Sequence, residues 1–479
     1  MIQAIQLILA LSFLVVIHEL GHFCFARLFG VRVEKFYMFF NPKFSLFRAK
    51  KFDGKWHVKF CAPNVTDDDE WSKHPESTEW GIGWVPFGGY CAIVGMVDET
   101  HSAEKLKNAV QPWEFRAKKA WQRLLIIMGG ILVNFVSALI IFGALLFSYG
   151  TDSLPMRNAT DGLYFSQLMI DEGFEQHDMI LSINGEEPEQ VVDAIQWIIL
   201  EGKRDVVVLR GSDTINLTMS EDLGKRFLSM QNDRDKRERA KARMDKGYQK
   251  RNYVLMTEFL PFIVDSVMPD NVAYYGGILK NDTIISVAGV ETPCYVDVQN
   301  ELHNHPCDSV SLTIRRDGQL LTCPVFLGDR CQLGVVMKTK YSIFQLEHKD
   351  YSFLESIPAG IKYGWDVLVG YIKQLRLVFT KEGAQSVGGF GAIGNMFPSF
   401  WNWQLFWSMT AFLSLILAFM NFLPIPALDG GYILFIIFEM ITGKQPSDKF
   451  LEKANNIGFW LLLALLIFAN GNDIIRFFF

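Results

Sequence analysis

The sequence predicts a polytopic α-helical membrane protein, with four transmembrane helices, a membrane-reentrant β-hairpin and two small α+β domains outside the bilayer. Three observations predict it. Apolar runs of spanning length occupy residues 1–30, 121–150, 401–441 and 456–479. A stretch at 81–97 is apolar but interrupted by Pro86, Gly88 and Gly89, which a helix does not accommodate. The soluble middle of the chain repeats itself, with residues 160–222 and 259–340 as two copies of one unit. The 479 residues are 50% hydrophobic and include 40 Phe, more apolar than an average soluble enzyme. A net charge of −6 argues against nucleic acid as a partner, because phosphate-binding surfaces bring a basic excess.

The first run carries the chemistry. Leu9 to Phe29 reads LALSFLVVIHELGHFCFARLF and holds His18, Glu19 and His22 in the pattern HExxH. An ionisable residue near mid-bilayer costs about 2.5–3.5 kcal/mol, so three within about one turn demand a compensating partner. On a helix, positions i and i+4 share a face, so both imidazoles can bind one zinc ion while Glu19 takes a proton from water. No basic residue other than the motif histidines precedes Arg27, which argues for a retained span rather than a cleaved signal peptide.

Residues 31–120 form a mixed loop with Arg32, Lys35, Lys43, Arg48, Lys50, Lys51, Lys55 and Lys59, followed by an acidic knot at Asp67, Asp68, Asp69 and Glu70. The basic residues place this loop on the cytoplasmic side. Within it, Trp84, Val85, Phe87, Tyr90, Ile93 and Val94 have strand propensity, and the breakers among them suggest a hairpin. Non-helical backbone reaches membrane depth only where it packs on protein or lines a wet cavity, so this hairpin would dip toward the histidines. In the second span Gly129 and Gly130 permit close helix contact, and Asn134 reads as interhelical glue.

The repeat aligns Asp178 with Asp282, Ile180 with Ile284, Ser182 with Ser286 and Gly185 with Gly289. Each copy ends in a strand-like run, DVVVLR from Asp205 and SVSLTIRR from Ser309. Between them, residues 223–258 read as a charged helical linker. Residues 350–400 hold an amphipathic helical stretch, Phe353 to Lys381, whose charges disfavour a full span, then a glycine-rich loop from Ser386 to Asn395. Seven cysteines contain no CxxC; Cys294, Cys307, Cys323 and Cys331 share the soluble segment and could pair in an oxidising compartment.

In the third run Pro424 and Pro426 break the helix and Asp429 opens a new one, where a helix N-terminus favours a carboxylate. The basic bias puts the repeats outside and brings His18, His22 and Asp429 to similar depth near the cytoplasmic side. A catalytic zinc takes three protein ligands and keeps one position open, and these three residues make that count.

HExxH in the first span, PFGGY in the hairpin, the tandem repeat and NFLPIPALDGG in the third span together resemble the bacterial site-2 protease family, in its RseP-like branch with two PDZ domains. The resemblance covers most of the chain. It implies a bacterial inner-membrane protein with Zn2+ bound by His18, His22 and Asp429, Glu19 as the catalytic base, and periplasmic PDZ domains. Its partners would be the lipid bilayer and the transmembrane helices of single-pass substrates such as anti-sigma factors or remnant signal peptides, cut in regulated intramembrane proteolysis. Asn421 would hold the unwound substrate, and the hairpin with Gly88, Gly89 and Tyr90 would pair with it as an edge strand.

The chain departs from the family where LDGGH is usual, with Tyr432, and where Gly-Pro is usual, with Gly129 and Gly130. The first repeat lacks the PFIVDSVMPDNVAYYGG lead of the second, and the acidic insertion around Asp67 is long. Two other classes fit parts of the sequence: a non-catalytic PDZ scaffold, and a metal transporter using the same three ligands. Glu19 separates them, because neither needs a general base beside the first histidine.

Overall fold

The computed structural model describes residues 2–64, 70–96, 109–244, 254–328, 331–344, 346–378 and 388–478. The chain divides into two compact units, one holding Met1–Gly150, Asp350–Ile372 and Gly388–Ile475, the other built on Thr151–Lys349. Asp67, Asp68 and Asp69 of the acidic knot lie outside the described residues.

The first unit is a helix bundle with a sheet on its flank. Its helices are α1 (Ile2–Leu28), α2 (Ala120–Tyr149), α3 (Phe353–Val378), α4 (Trp403–Phe422), α5 (Asp429–Thr442) and α6 (Asp448–Phe478). Among the described residues four of them, α1, α2, α4 and α6, are long and apolar enough to cross a membrane. Helix α1 is a continuous, mostly apolar helix without proline and stops before Gly30, whose φ of +67° is the left-handed turn that glycine adopts freely. It packs on α2 with almost no space between backbones: a Cβ built on Gly21 would strike the Gly129 carbonyl, and one on Gly129 would sit 2.6 Å from the Gly21 oxygen. In lipid, small residues drive helices together by allowing this approach. Helix α4 opens with Asn402 accepting the N–H of Leu405 at 2.9 Å. Residues 423–428, with Pro424 and Pro426, separate it from α5, so the third apolar run is two helices rather than one. Helix α3 is amphipathic as expected and lies along α2 and α4, its Tyr371 ring meeting Phe412 and Phe419 edge-on.

The sheet corrects the expected hairpin. Strands β1 (Val33–Phe40), β2 (Phe44–Phe52), β3 (Lys55–Pro63), β4 (Glu79–Ile82) and β5 (Val85–Ile93) run in the order β3-β2-β4-β1-β5. The described part of that stretch, 81–96, therefore does not fold on itself: β4 and β5 lie on opposite sides of β1, parallel and antiparallel to it, and β1 supplies hydrogen bonds to both. Gly83 carries the chain past the end of β1, where a side chain would strike the Phe40 carbonyl. One face rests on α1 through the rings of Phe23, Phe36 and Trp80, with centroids 4.9–5.8 Å apart. The other face buries the Tyr37–Glu79 hydrogen bond and Lys50, whose Nζ donates to the Trp71 carbonyl at 2.7 Å. Strand β5 is left at the sheet edge.

A second correction concerns the expected loop from Ser386 to Asn395. Its first two residues lie outside the described residues, but Phe390–Gly394 is a short helix. Side chains some eighty residues away satisfy its leading N–H groups: Asp473 Oδ2 accepts from Gly389 at 2.9 Å and Ala392 at 3.1 Å, and Asn470 Oδ1 from Phe390 at 3.2 Å. A cap so distant in sequence leaves no local signal.

In the second unit the aligned aspartates of the two stretches make matched contacts. Asp178 and Asp282, both buried, each take a bidentate arginine, from the strands Asp205–Arg210 and Ser309–Arg316. Arg210 reaches Asp178 at 2.9 and 2.7 Å, and Arg316 reaches Asp282 at 2.7 and 2.7 Å. Each guanidinium also donates to the carbonyl of a glycine five residues before its aspartate, Gly173 at 2.8 Å and Gly277 at 2.7 Å. Burial alone would raise the Asp282 carboxyl, and Arg316 with the Leu279 N–H holds it below its ordinary value. The second copy forms one sheet around Thr283–Val287 and Ser309–Arg316. The first copy forms a three-stranded sheet of Met179–Ile183, Asp205–Arg210 and Asp213–Thr218.

The linker is shorter than read. Leu223–Met244 is helical and residues 245–253 lie outside the described residues, but Met256–Glu258 is a strand paired with Leu163–Phe165 of the first copy. That copy needs a partner for its short Leu163–Phe165 strand, and the returning chain provides it. Among the described residues the seven cysteines form no disulfide, and Cys294, Cys323 and Cys331 are buried.

Candidate metal centre

Helical spacing puts His18 and His22 on the α1 face that meets α2, where they are 9% and 7% exposed. Room for them comes from Gly130: a Cβ there would sit 2.5 Å from His22 Nε2 and 2.6 Å from His18 Cε1. Asp429 arrives from the other side, in the first turn of α5. The turn before it holds Ala427 at a φ of +74°, a conformation strained for a residue with a Cβ, and so fixes where α5 begins.

Three electron-rich atoms converge. His18 Nε2 and His22 Nε2 are 3.2 Å apart, and Asp429 Oδ2 lies 3.2 Å from the first and 3.5 Å from the second. His22 Nδ1 meets the Ile126 carbonyl at 3.0 Å. A carbonyl only accepts, so Nδ1 carries the proton and Nε2 presents a lone pair to the carboxylate. Asp429 Oδ2 is buried without a well-aligned hydrogen bond despite its two imidazole neighbours. Lone pairs so close repel one another unless a cation sits among them. Tetrahedral zinc with bonds of about 2.0–2.1 Å separates its ligand atoms by about 3.3 Å, and the three distances match it. The residues present therefore fit a zinc ion.

Glu19 stands beside this group and accepts a hydrogen bond from the main chain of Cys91 on β5. Asn421, near the end of α4, brings Nδ2 to 3.4 Å from His18 Nε2. Gly89 faces α1, where a Cβ would lie 2.9 Å from Val15 Cγ1, and the neighbouring Gly88 adopts a φ of +95°. Tyr90 is placed differently: alternation turns its ring to the opposite face, stacked on Tyr37 at 5.3 Å with its hydroxyl donating to Asn41 at 3.0 Å. Its side chain is therefore kept from the metal centre, and only its backbone belongs to the β5 edge.

Asn134 and Gly130 were not assigned to the centre by sequence reasoning. Both face it, and their spacing of four residues on α2 was the available signal.

A helix long and apolar enough to cross a membrane, bearing two imidazoles and a carboxylate and met by a carboxylate from another helix, fits a metal-dependent hydrolase built within a helix bundle. The chain matches the profile of Peptidase family M50 over residues 6–62 and 70–465. It is 24% identical over 482 residues to the Regulator of sigma E protease of Haemophilus influenzae, covering 98% of each chain. Proteins provisionally named zinc metalloproteases are equally similar: one from Ralstonia nicotianae is 24% identical over 501 residues, covering 100% of this chain and 99% of the relative. One from Borreliella burgdorferi is 24% identical over 490 residues, covering 98% and 97%. The chain belongs to peptidase family M50, the site-2 protease family, and is a zinc metalloprotease.

The packing at Gly130 yields a direct test. Gly130→Ala pushes a methyl group into both imidazoles, an overpacking cost of about 1–3 kcal/mol. Zinc titration of the purified variant is expected to show weakened binding and a lowered melting temperature; wild-type zinc affinity would show that α2 does not shape the centre.

Proposed function

We propose that this protein is an intramembrane endopeptidase that cuts the transmembrane segments of single-pass membrane proteins. His18, His22 and Asp429 hold the zinc, and Glu19 is the general base. The observation that carries the reading is the meeting of three lone-pair atoms beside a further carboxylate, on a helix otherwise fit for lipid. Zinc held there supplies a Lewis acid that polarises a carbonyl and lowers the pKa of water toward about 7. Ile126 keeps the His22 proton on Nδ1, away from the metal. Glu19 takes the proton of the attacking water and returns it to the leaving amine. A scaffold or a transporter has no use for that carboxylate.

A helical substrate shields its own peptide bonds and must be locally extended before hydrolysis. Strand β5 lies at the sheet edge next to Glu19, where strand addition takes place. Gly88 and Gly89 let a second backbone come close, and the Asn421 amide binds the extended segment near His18. The two repeats read as PDZ domains on the periplasmic side of a bacterial inner membrane, with the centre toward the cytoplasm, as the basic bias of the loops indicates. The named activity of the Haemophilus relative supports a role in regulated intramembrane proteolysis, with anti-sigma factors or remnant signal peptides as substrates.

Glu19→Gln is expected to retain one zinc per chain and to lose at least about 100-fold in cleavage of a co-reconstituted single-span reporter; undiminished cleavage would sink the mechanism. Proline placed singly from Gly88 to Ala92 is expected to cut cleavage about tenfold or more wherever an outward N–H is removed, with zinc still bound. Full cleavage across that scan would remove β5 as the substrate clamp.

A further inference from the structure

Asn134 lies in the middle of α2 and is fully buried. One end of its amide is 3.2 Å from His18 Nδ1, and Oδ1, as placed, has no hydrogen-bond partner. Its main-chain oxygen is occupied separately, by the Ser414 hydroxyl of α4 at 2.8 Å. The helix-packing contact is thus made by the backbone, and the side chain is left for the imidazole. An amide presents oxygen or NH2 in the same place by a half-turn about its last torsion.

We infer that Asn134 is the positioning residue of the His18 ligand, its Oδ1 accepting the Nδ1 proton so that Nε2 points its lone pair at the zinc. The two ring nitrogens of a neutral imidazole have opposite roles. If Nε2 is to bind metal, Nδ1 must carry the hydrogen, and a hydrogen there cannot face an NH2 group. Only the oxygen end of Asn134 satisfies both groups. This gives the two histidines matched supports from the same helix: the Ile126 carbonyl holds His22 at 3.0 Å and the Asn134 amide holds His18 at 3.2 Å. Such supports fix the tautomer and aim the ring, and their loss costs metal affinity about 10- to 100-fold. An interhelical hydrogen bond alone would predict no such effect.

The inference rests on His18, His22 and Asp429 being the zinc ligands. The test is zinc affinity of the full-length protein in detergent, by competition with a chelator, with melting temperature recorded alongside. Asn134→Leu keeps the size and removes the acceptor; it is expected to weaken zinc binding 10- to 100-fold. Asn134→Asp keeps an acceptor oxygen and loses the NH2 group; it is expected to hold zinc at least as tightly as wild type. Zinc affinity in Asn134→Leu within twofold of wild type overturns the inference. So does an Asn134→Asp variant as weak as Asn134→Leu, because the NH2 end would then be what matters. If Asn134→Leu fails to fold, Asn134→Asp decides: tight zinc supports the inference and weakened zinc overturns it. The ligand reading is checked separately by Asp429→Ala. Unchanged zinc affinity there breaks the ligand set itself, a failure distinct from wild-type affinity in Asn134→Leu alone.

Discussion

Two imidazole nitrogens and one carboxylate oxygen are held within 3.5 Å of one another inside a bundle of apolar helices, and the rest of the first unit is arranged around that repulsion. Nothing in lipid relieves it, and each ionisable group at such depth costs about 2.5–3.5 kcal/mol before any repulsion is counted. A cation at the centre turns the same geometry into an attraction. The bundle's unusual features follow from bringing the three groups together. Gly21 and Gly129 let α1 and α2 touch by their backbones, Gly130 leaves space for the imidazoles, and the Pro424–Pro426 turn starts a new helix where its first carboxylate meets them. Arg123 of α2, buried against Glu439 of α5, ties the far end of the carboxylate-bearing helix to the helix that supports the histidines.

Much of this was legible in the sequence because the signals were local. HExxH declares its spacing within one turn, the prolines before Asp429 declare a break, and apolar runs declare their length. The repeat reads from its aligned Asp, Ser and Gly positions, and the two aspartates share one task in the structure: each anchors an arginine. Asn134 was read correctly as an interhelical contact and incompletely as a residue, since which helix face it shares with Gly130 matters only once α2 is known to pack on the histidines.

What escaped the sequence was long-range. The stretch from Gly81 to Met96 looks like a hairpin because its breakers sit between strand formers, yet both of its strands prefer β1, more than forty residues away. The difference changes the functional picture. A free-standing hairpin would present two edges, whereas β5 presents one, backed by the four other strands of its sheet and packed on α1 beside Glu19. Tyr90 shows the same lesson at the scale of one residue: its neighbour Gly89 faces α1, and strand alternation sends the tyrosine ring to the other side of the sheet. The strand Met256–Glu258 escaped likewise, being too short to stand out from a charged linker until its partner was in place.

The central claim is that zinc is held by two imidazoles of α1 and one carboxylate of α5. X-ray absorption at the zinc edge of the purified full-length protein tests it most directly. The account predicts one zinc per chain in a four-coordinate shell of nitrogen and oxygen at about 2.0–2.1 Å, with two imidazoles in the scattering pattern. A sulfur shell at about 2.3 Å, as Cys24 on α1 or Cys91 on β5 would give, or a protein that binds no zinc, would contradict it.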